Sequence, residues 1–190
     1  QEAGIVVHEV IQKIIEAYAH MFFVDGVFQS DPHPGNLLLR SHRDGGPELC
    51  ILDFGQVKVL PRGFQRKLIH ASVAFMGRDI EGFGKAVVEM GVLKARDVQI
   101  AMPILREFFE ELYELTPADL KTLDVEDLRE KIQSVIAQIE GVHIPQDLVL
   151  YGRAFGLLAG VLAALDDEVN GIVVAKPVIM QALMRPENFI

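Results

Sequence analysis

Gln29-Ser30-Asp31-Pro32-His33-Pro34-Gly35-Asn36-Leu37-Leu38-Leu39-Arg40 decides how this chain is read, together with Leu49-Cys50-Ile51-Leu52-Asp53-Phe54-Gly55 downstream. Two prolines and a glycine within Asp31 to Asn36 cannot continue a helix or a central strand, so this is a stiff loop. Leu37 to Arg40 reads as a short strand, Arg43-Asp44-Gly45-Gly46-Pro47 as a turn and Leu49 to Leu52 as a second strand. Together they predict a hairpin. The hairpin folds the chain back, so that Asn36 and Asp53, 17 positions apart, can face one site.

Upstream, Val7, Val10, Ile11, Ile14, Tyr18, Met21 and Phe22 recur at three- and four-residue spacing, the apolar stripe of a helix that must stop near Asp25-Gly26. Downstream the pattern is helical, over about 61–77, 79–91, 95–115, 124–140, 145–166 and 170–184, with boundaries good to roughly two to four residues. Pro103 falls inside the third of these and can kink or split it. Asp124 and Asp127, and later Pro145 and Asp147, suit helix starts. Gly152, Gly156 and Gly160 lie four apart on one helical face and predict close helix–helix contact. The expected fold is therefore mainly α: a helical bundle with a small β-hairpin that carries two functional loops.

Half of the residues are hydrophobic and about a quarter charged, as in ordinary globular chains. A net charge of -9 without a Lys/Arg stripe argues against nucleic-acid binding. Cys50 is the only cysteine, which excludes an intramolecular disulfide and fits a reducing compartment. Ala154 to Leu165 is an uncharged run of 12 residues, short of the roughly 20 that span a bilayer, so no transmembrane segment is predicted. The chain begins at Gln1 and carries no targeting segment, and it reads as a fragment of a longer protein.

Asp31 and Asn36 stand five apart, the spacing of a kinase catalytic loop, in which the Asp accepts the substrate hydroxyl proton and the Asn binds Mg²⁺. Asp53-Phe54-Gly55 matches the triplet whose Asp holds Mg²⁺ between phosphates. The residue types suit the ion. Mg²⁺ is a hard cation that takes one or two protein oxygens and completes its shell with water and phosphate. Taken singly, Asp31 reads as a turn or cap residue, Asn36 as a left-handed turn residue and Asp53 as a strand-end turn. Their order around a predicted hairpin carries the functional reading.

The segment Gln29 to Asn36, with its Asp-Pro-His-Pro-Gly-Asn core, resembles the catalytic loop of the ABC1/UbiB/ADCK family of atypical kinases. Ile51 to Gln56 resembles that family's metal motif, and Ile144 to Leu158 its late helix. The resemblance implies a protein-kinase-like fold of which residues 1–190 form the C-lobe portion. Within it, 1–60 would carry the catalytic loop and the metal hairpin, and 61–190 the helical subdomain. It also implies ATP and Mg²⁺ as cofactors, with Asp31 catalytic and with Asn36 and Asp53 holding the metal and the nucleotide. The function implied is that of a kinase or ATPase supporting ubiquinone or related prenyl-lipid metabolism, in mitochondria, plastids or at bacterial membranes. The partners implied are ATP, an N-lobe of the same protein and prenyl-lipid or membrane-associated molecules.

The family's Lys-x-Gly-Gln motif, its alanine-rich nucleotide loop and the strand Lys that pairs with a helix Glu do not occur here, and no Ala-Pro-Glu follows Asp53. These 190 residues alone are therefore expected to be inactive, because the adenine clamp would come from other chain. A non-catalytic nucleotide- or lipid-binding module is the alternative reading, and a helical scaffold with accidental motifs a third.

Among the weaker candidates, His33 is expected to brace its loop. His8, His20, His42, His70 and His143 lack zinc-ligand spacing. Lys58 and the Glu110, Glu111 and Glu114 face should be solvated. Arg153 should brace the core, and Phe108, Phe109, Leu112 and Tyr113 should pack into it.

Overall fold

The computed structural model describes residues 6–41, 46–114, 137, 142–165 and 169–188. Over these residues the chain is mainly helical with two small antiparallel ribbons. Helix α1 spans Val7–Ala19 and continues as a π-helical segment, His20–Asp25. Strand β1 (Val27–Gln29), β2 (Leu37–Ser41), β3 (Pro47–Ile51) and β4 (Val57–Val59) follow. Then come α2 (Arg62–Met76), α3 (Ile80–Glu89), α4 (Val98–Glu114), α5 (Gln146–Leu165) and α6 (Gly171–Leu183). The predicted helix 124–140 (apart from residue 137), the turn residues 43–45, and the side chains of Phe108, Glu111, Leu112 and Glu114 fall outside the described residues.

The hairpin forms as the sequence predicts: β2 pairs β3 in register Leu37↔Ile51 through Ser41↔Pro47. A bidentate contact of Arg40 to Glu48, at 2.6 and 2.9 Å, lies across the same register. The second ribbon corrects the single-hairpin expectation. β1 pairs β4 with Val27 opposite Val59 and Gln29 opposite Val57. Each strand is only three residues long, and the partners lie about thirty positions apart, so no local pattern announces their pairing.

The apolar stripe of α1 is the centre of the core. Val10, Ile14 and Tyr18 pack with Phe22 and Phe23 of the π segment, Phe28 of β1, Phe64, Leu68 and Ile69 of α2, and Val178, Ile179 and Ala182 of α6. Ile11 and Ile15, one position on, meet Val169 in a smaller cluster. Local capping fits the sequence. Asp79 Oδ1 accepts from Gly82 N at 2.8 Å at the start of α3, and Asn170 Oδ1 accepts from Ile172 and Val173 N at the start of α6. Phe75, Phe83, Phe109 and Tyr113 form an aromatic cluster capped by the Arg78 guanidinium, 3.8 Å from the Tyr113 ring centre.

Among the described residues, a Cβ at Gly152, Gly156 or Gly160 would meet nothing within 4 Å, so the close contact expected of this face is not seen there. α5 packs instead through Tyr151, Ala154, Leu158 and Leu162, a stripe two residues, or about 200°, around the helix. Arg153 is exposed, so it does not brace the core. Pro103 does not split its helix; α4 is continuous across it.

The joint between α1 and β1 is built from unusual backbone. The π segment ends on Gly26 at φ 68° and ψ 14°, and Gly26 O then accepts from Leu60 N at 2.7 Å, which starts the second ribbon. Gln65 Nε2 donates to Phe22 O and Arg185 Nη1 to Val24 O, so tertiary partners satisfy carbonyls of the widened turn. A Cβ at Gly26 would lie 3.1 Å from the Gln65 amide. Gly26→Ala should therefore cost about 1–3 kcal/mol, from left-handed strain plus displacement of Gln65. Urea denaturation checks this, and a loss of under a few tenths would mean the joint relaxes freely.

Candidate active site

Both predicted loops lie where the ribbons meet. The loop from Ser30 to Asn36 leaves β1 and enters β2, and the loop from Leu52 to Gln56 leaves β3 and enters β4. Because β1 pairs β4 and β2 pairs β3, the two loops are pinned at both ends. Direct bonds join them: Leu52 N donates to Asn36 O at 2.7 Å, and Ser30 N and Oγ both donate to Gln56 O at 2.9 Å. The structure thus brings the neighbourhoods of Asp31, Asn36 and Asp53 together, as the hairpin predicts.

The backbone carbonyl of Asp31 is the hub of its loop. It accepts from His33 N at 2.7 Å, from Gln29 Nε2 at 2.5 Å and from Asn36 Nδ2 at 3.2 Å. Since a carbonyl can only accept, the amide nitrogen of Asn36 must face it. The Asn36 Oδ1 is then left as a free oxygen donor for a cation. Pro32 is buried, and Pro34 to Asn36 form a short 3₁₀ turn that begins at a proline. His33 Nδ1 accepts from Gly35 N at 3.1 Å, so His33 braces the turn as expected. Among the described residues, nothing donates a hydrogen bond to the half-buried Asp31 carboxylate, which leaves it available to accept a proton.

Asp53, not Asn36, is the left-handed residue, at φ 55°. Its Oδ1 accepts from Gly55 N at 3.0 Å, which closes the turn and leaves Oδ2 uncommitted. A Cβ at position 55 would come within 2.9 Å of that oxygen, which gives Gly55 its place in the triplet. Asp53, Phe54, Gly55 and Gln56 are all exposed, as is Lys58.

Sequence reading missed two supporting residues. Gln29 is 1 % exposed and Tyr18 fully buried. Tyr18 Oη donates to Gln29 Oε1 at 2.9 Å, and Gln29 passes the link to the Asp31 carbonyl. Burial, and then the negative charge of Asp31, push the Tyr18 hydroxyl up to about 12. The folded value lies above the ordinary 10, so the stability that the buried neutral hydroxyl keeps is intact below pH 10 and is lost as pH rises towards 12. Tyr18 lies on the apolar stripe of α1 and reads as core; only the fold shows that its hydroxyl points at Gln29.

The oxygens of Asp53 and Asn36 that these bonds leave open, a carboxylate and an amide oxygen, are of the type a hard cation prefers. Among the described residues no group of three His, Cys, Asp or Glu side chains gathers, so a metal cage built from protein alone is not seen. A groove of about 480 Å³ between α1 and β3, lined by Lys13, Glu16, His20, Glu48 and Leu49, contains none of the three site residues. Among the described residues no helix is long and apolar enough to cross a membrane.

Comparison with known proteins gives the same answer as the loops. Residues 1–87 match the ABC1 atypical kinase-like domain. An uncharacterised protein of Synechocystis is 28% identical over 94% of this chain and 30% of its own length. AarF domain-containing protein kinase 1 of Mus musculus is 24% identical over 84% of the chain and 31% of its own. Protein ACTIVITY OF BC1 COMPLEX KINASE 3, chloroplastic, of Arabidopsis thaliana is 25% identical over 99% of the chain and 26% of its own. The chain spans under a third of the length of these curated relatives. The matched residues contain both loops and the two ribbons that join them, and over this segment the chain is similar to the ABC1 family of atypical kinase-like proteins.

Proposed function

We propose that Asp31, Asn36 and Asp53 form the metal and phosphate half of an ATP site in a kinase-like C-lobe. In this reading residues 1–60 carry the catalytic loop and metal hairpin, and 61–190 form the helical subdomain. The observation that carries the proposal is the paired-ribbon closure, with Leu52 N bonded to Asn36 O, because it fixes two separate loops against each other. The whole protein would be an ATP-dependent phosphotransferase or ATPase, its N-lobe clamping the adenine. A role in ubiquinone or related prenyl-lipid metabolism, with a prenyl-lipid or membrane-associated partner, rests on the family resemblance. Chloroplastic and cyanobacterial relatives support a plastid or bacterial setting.

In this mechanism Mg²⁺ supplies charge neutralisation at the phosphates, and Asn36 Oδ1 and Asp53 Oδ2 would hold it. Asp31 orients the attacking hydroxyl and takes its proton. The Gln29 and Tyr18 chain holds the Asp31 backbone in place. The open half-site around Phe54 leaves the adenine and phosphates unclamped, so these 190 residues alone should show no steady-state ATPase.

In the full-length protein, Asp53→Ala should weaken Mg²⁺–ATP binding by about tenfold or more, since it removes a charged oxygen ligand. Calorimetric titration with and without Mg²⁺ tests this; unchanged affinity in both conditions would remove Asp53 from the site. The alternative, a non-catalytic nucleotide- or lipid-binding module, is favoured by the exposed, incomplete surface of the half-site. It predicts binding without turnover.

A further inference from the structure

Arg62 and Arg66 stand one turn apart on α2, and Arg185 lies just after α6. The packing of α6 on α2 brings all three to one cavity of about 140 Å³, which is also lined by Val24, Glu187 and Asn188. These positions are scattered in a chain with a net charge of -9, and no basic stripe marks them.

Among the described residues, Arg62, Arg66 and Arg185 take part in no ion pair. Arg66 Nε is shielded from solvent and, among the described residues, has no hydrogen-bond partner. Buried polar nitrogens are normally satisfied, so an orphaned guanidinium N–H in a cavity marks a place for an acceptor. Arg185 is held in place by its Nη1 bond to Val24 O at 3.3 Å, and its other N–H groups remain to be used. Three permanent cations against the one carboxylate of Glu187 leave a lining charge of +2. The space is close to the roughly 150 Å³ of a cavity that takes benzene, and well below the roughly 300–1,000 Å³ of nucleotide-sized pockets.

We infer that this cavity is a second anion site, distinct from the ATP half-site, which takes one dianionic phosphoryl group through Arg62, Arg66 and Arg185. Planar guanidinium forks match phosphate oxygens two at a time, and a dianion balances the +2 lining. Inorganic phosphate and the head of a small phosphate monoester share this chemistry.

The test is calorimetric titration of the full chain with inorganic phosphate and, separately, with glycerol 3-phosphate, in EDTA to exclude metal-dependent binding. Saturable binding of phosphate is expected, weakened about tenfold or more by Arg66→Gln. Glu187→Gln should strengthen it severalfold by removing the like charge, a gain that misfolding cannot mimic. Lys13→Gln, at an exposed lysine on α1, should change nothing. Binding of phosphate alone would identify the free ion as the ligand, and binding of both probes the ester. No saturation by about 10 mM, or equal weakening by Arg66→Gln and Lys13→Gln, overturns the site.

Discussion

In the full-length protein, Asp31→Asn should lower ATP turnover by about 10²- to 10⁴-fold, the usual contribution of a positioned general base. Mg²⁺–ATP affinity should stay within about threefold, or half a log unit of binding. The two effects separate because Asp31 holds its loop through its backbone and not its side chain. The carbonyl takes three hydrogen bonds, from His33, Gln29 and Asn36, and an asparagine keeps all of them. What it loses is the carboxylate, to which no group donates among the described residues. Single-turnover and steady-state assays beside a binding titration distinguish the outcomes. Turnover within a fewfold of the parent would falsify the assignment of Asp31 as base. No turnover in the parent, with ATP bound, would move the chain to the regulatory reading.

Phe22→Ala should destabilise the fold by about 3–5 kcal/mol. Phe22 is 2 % exposed and lies within 4.9 Å, centre to centre, of both Phe28 and Tyr151, with Tyr18 at 6.0 Å. Truncation opens a cavity where α1, β1 and α5 meet, and it loses the aromatic edge contacts as well. Phe22→Leu keeps most of the volume and should cost under half as much. Guanidinium unfolding of the two variants measures both values. Equal losses would show that the aromatic geometry, and not the filled volume, is what the site needs. Because Phe28 leads into Gln29, a loosened core here should also broaden the Asp31 loop.

Much of this arrangement was legible from residues. Helix spans 62–76, 80–89, 146–165 and 171–183 match the predicted periods within two residues at each end. The hairpin was legible because two short apolar runs flank a Gly-Gly-Pro turn, and the candidate site because Asp31, Asn36 and Asp53 keep fixed spacings. The β1–β4 ribbon was not, since three-residue strands carry no periodic signal. Nor was the stripe of α5 that packs among the described residues, which runs through Tyr151, Ala154, Leu158 and Leu162 and not through the glycines.

The sequence by itself determined the local devices of this protein: the stiff Asp-Pro-His-Pro-Gly-Asn loop, the turn at Asp53, the helical stripes and their caps. These depend on backbone restriction and short-range hydrogen bonds, which neighbouring residues settle. Tertiary structure alone decided which distant groups meet. It set Tyr18 against Gln29, tied Leu52 to Asn36, and gathered Arg62, Arg66 and Arg185 around one cavity. Such meetings follow from how whole elements bury their apolar faces, and one chain position carries no record of the partner that burial will bring to it.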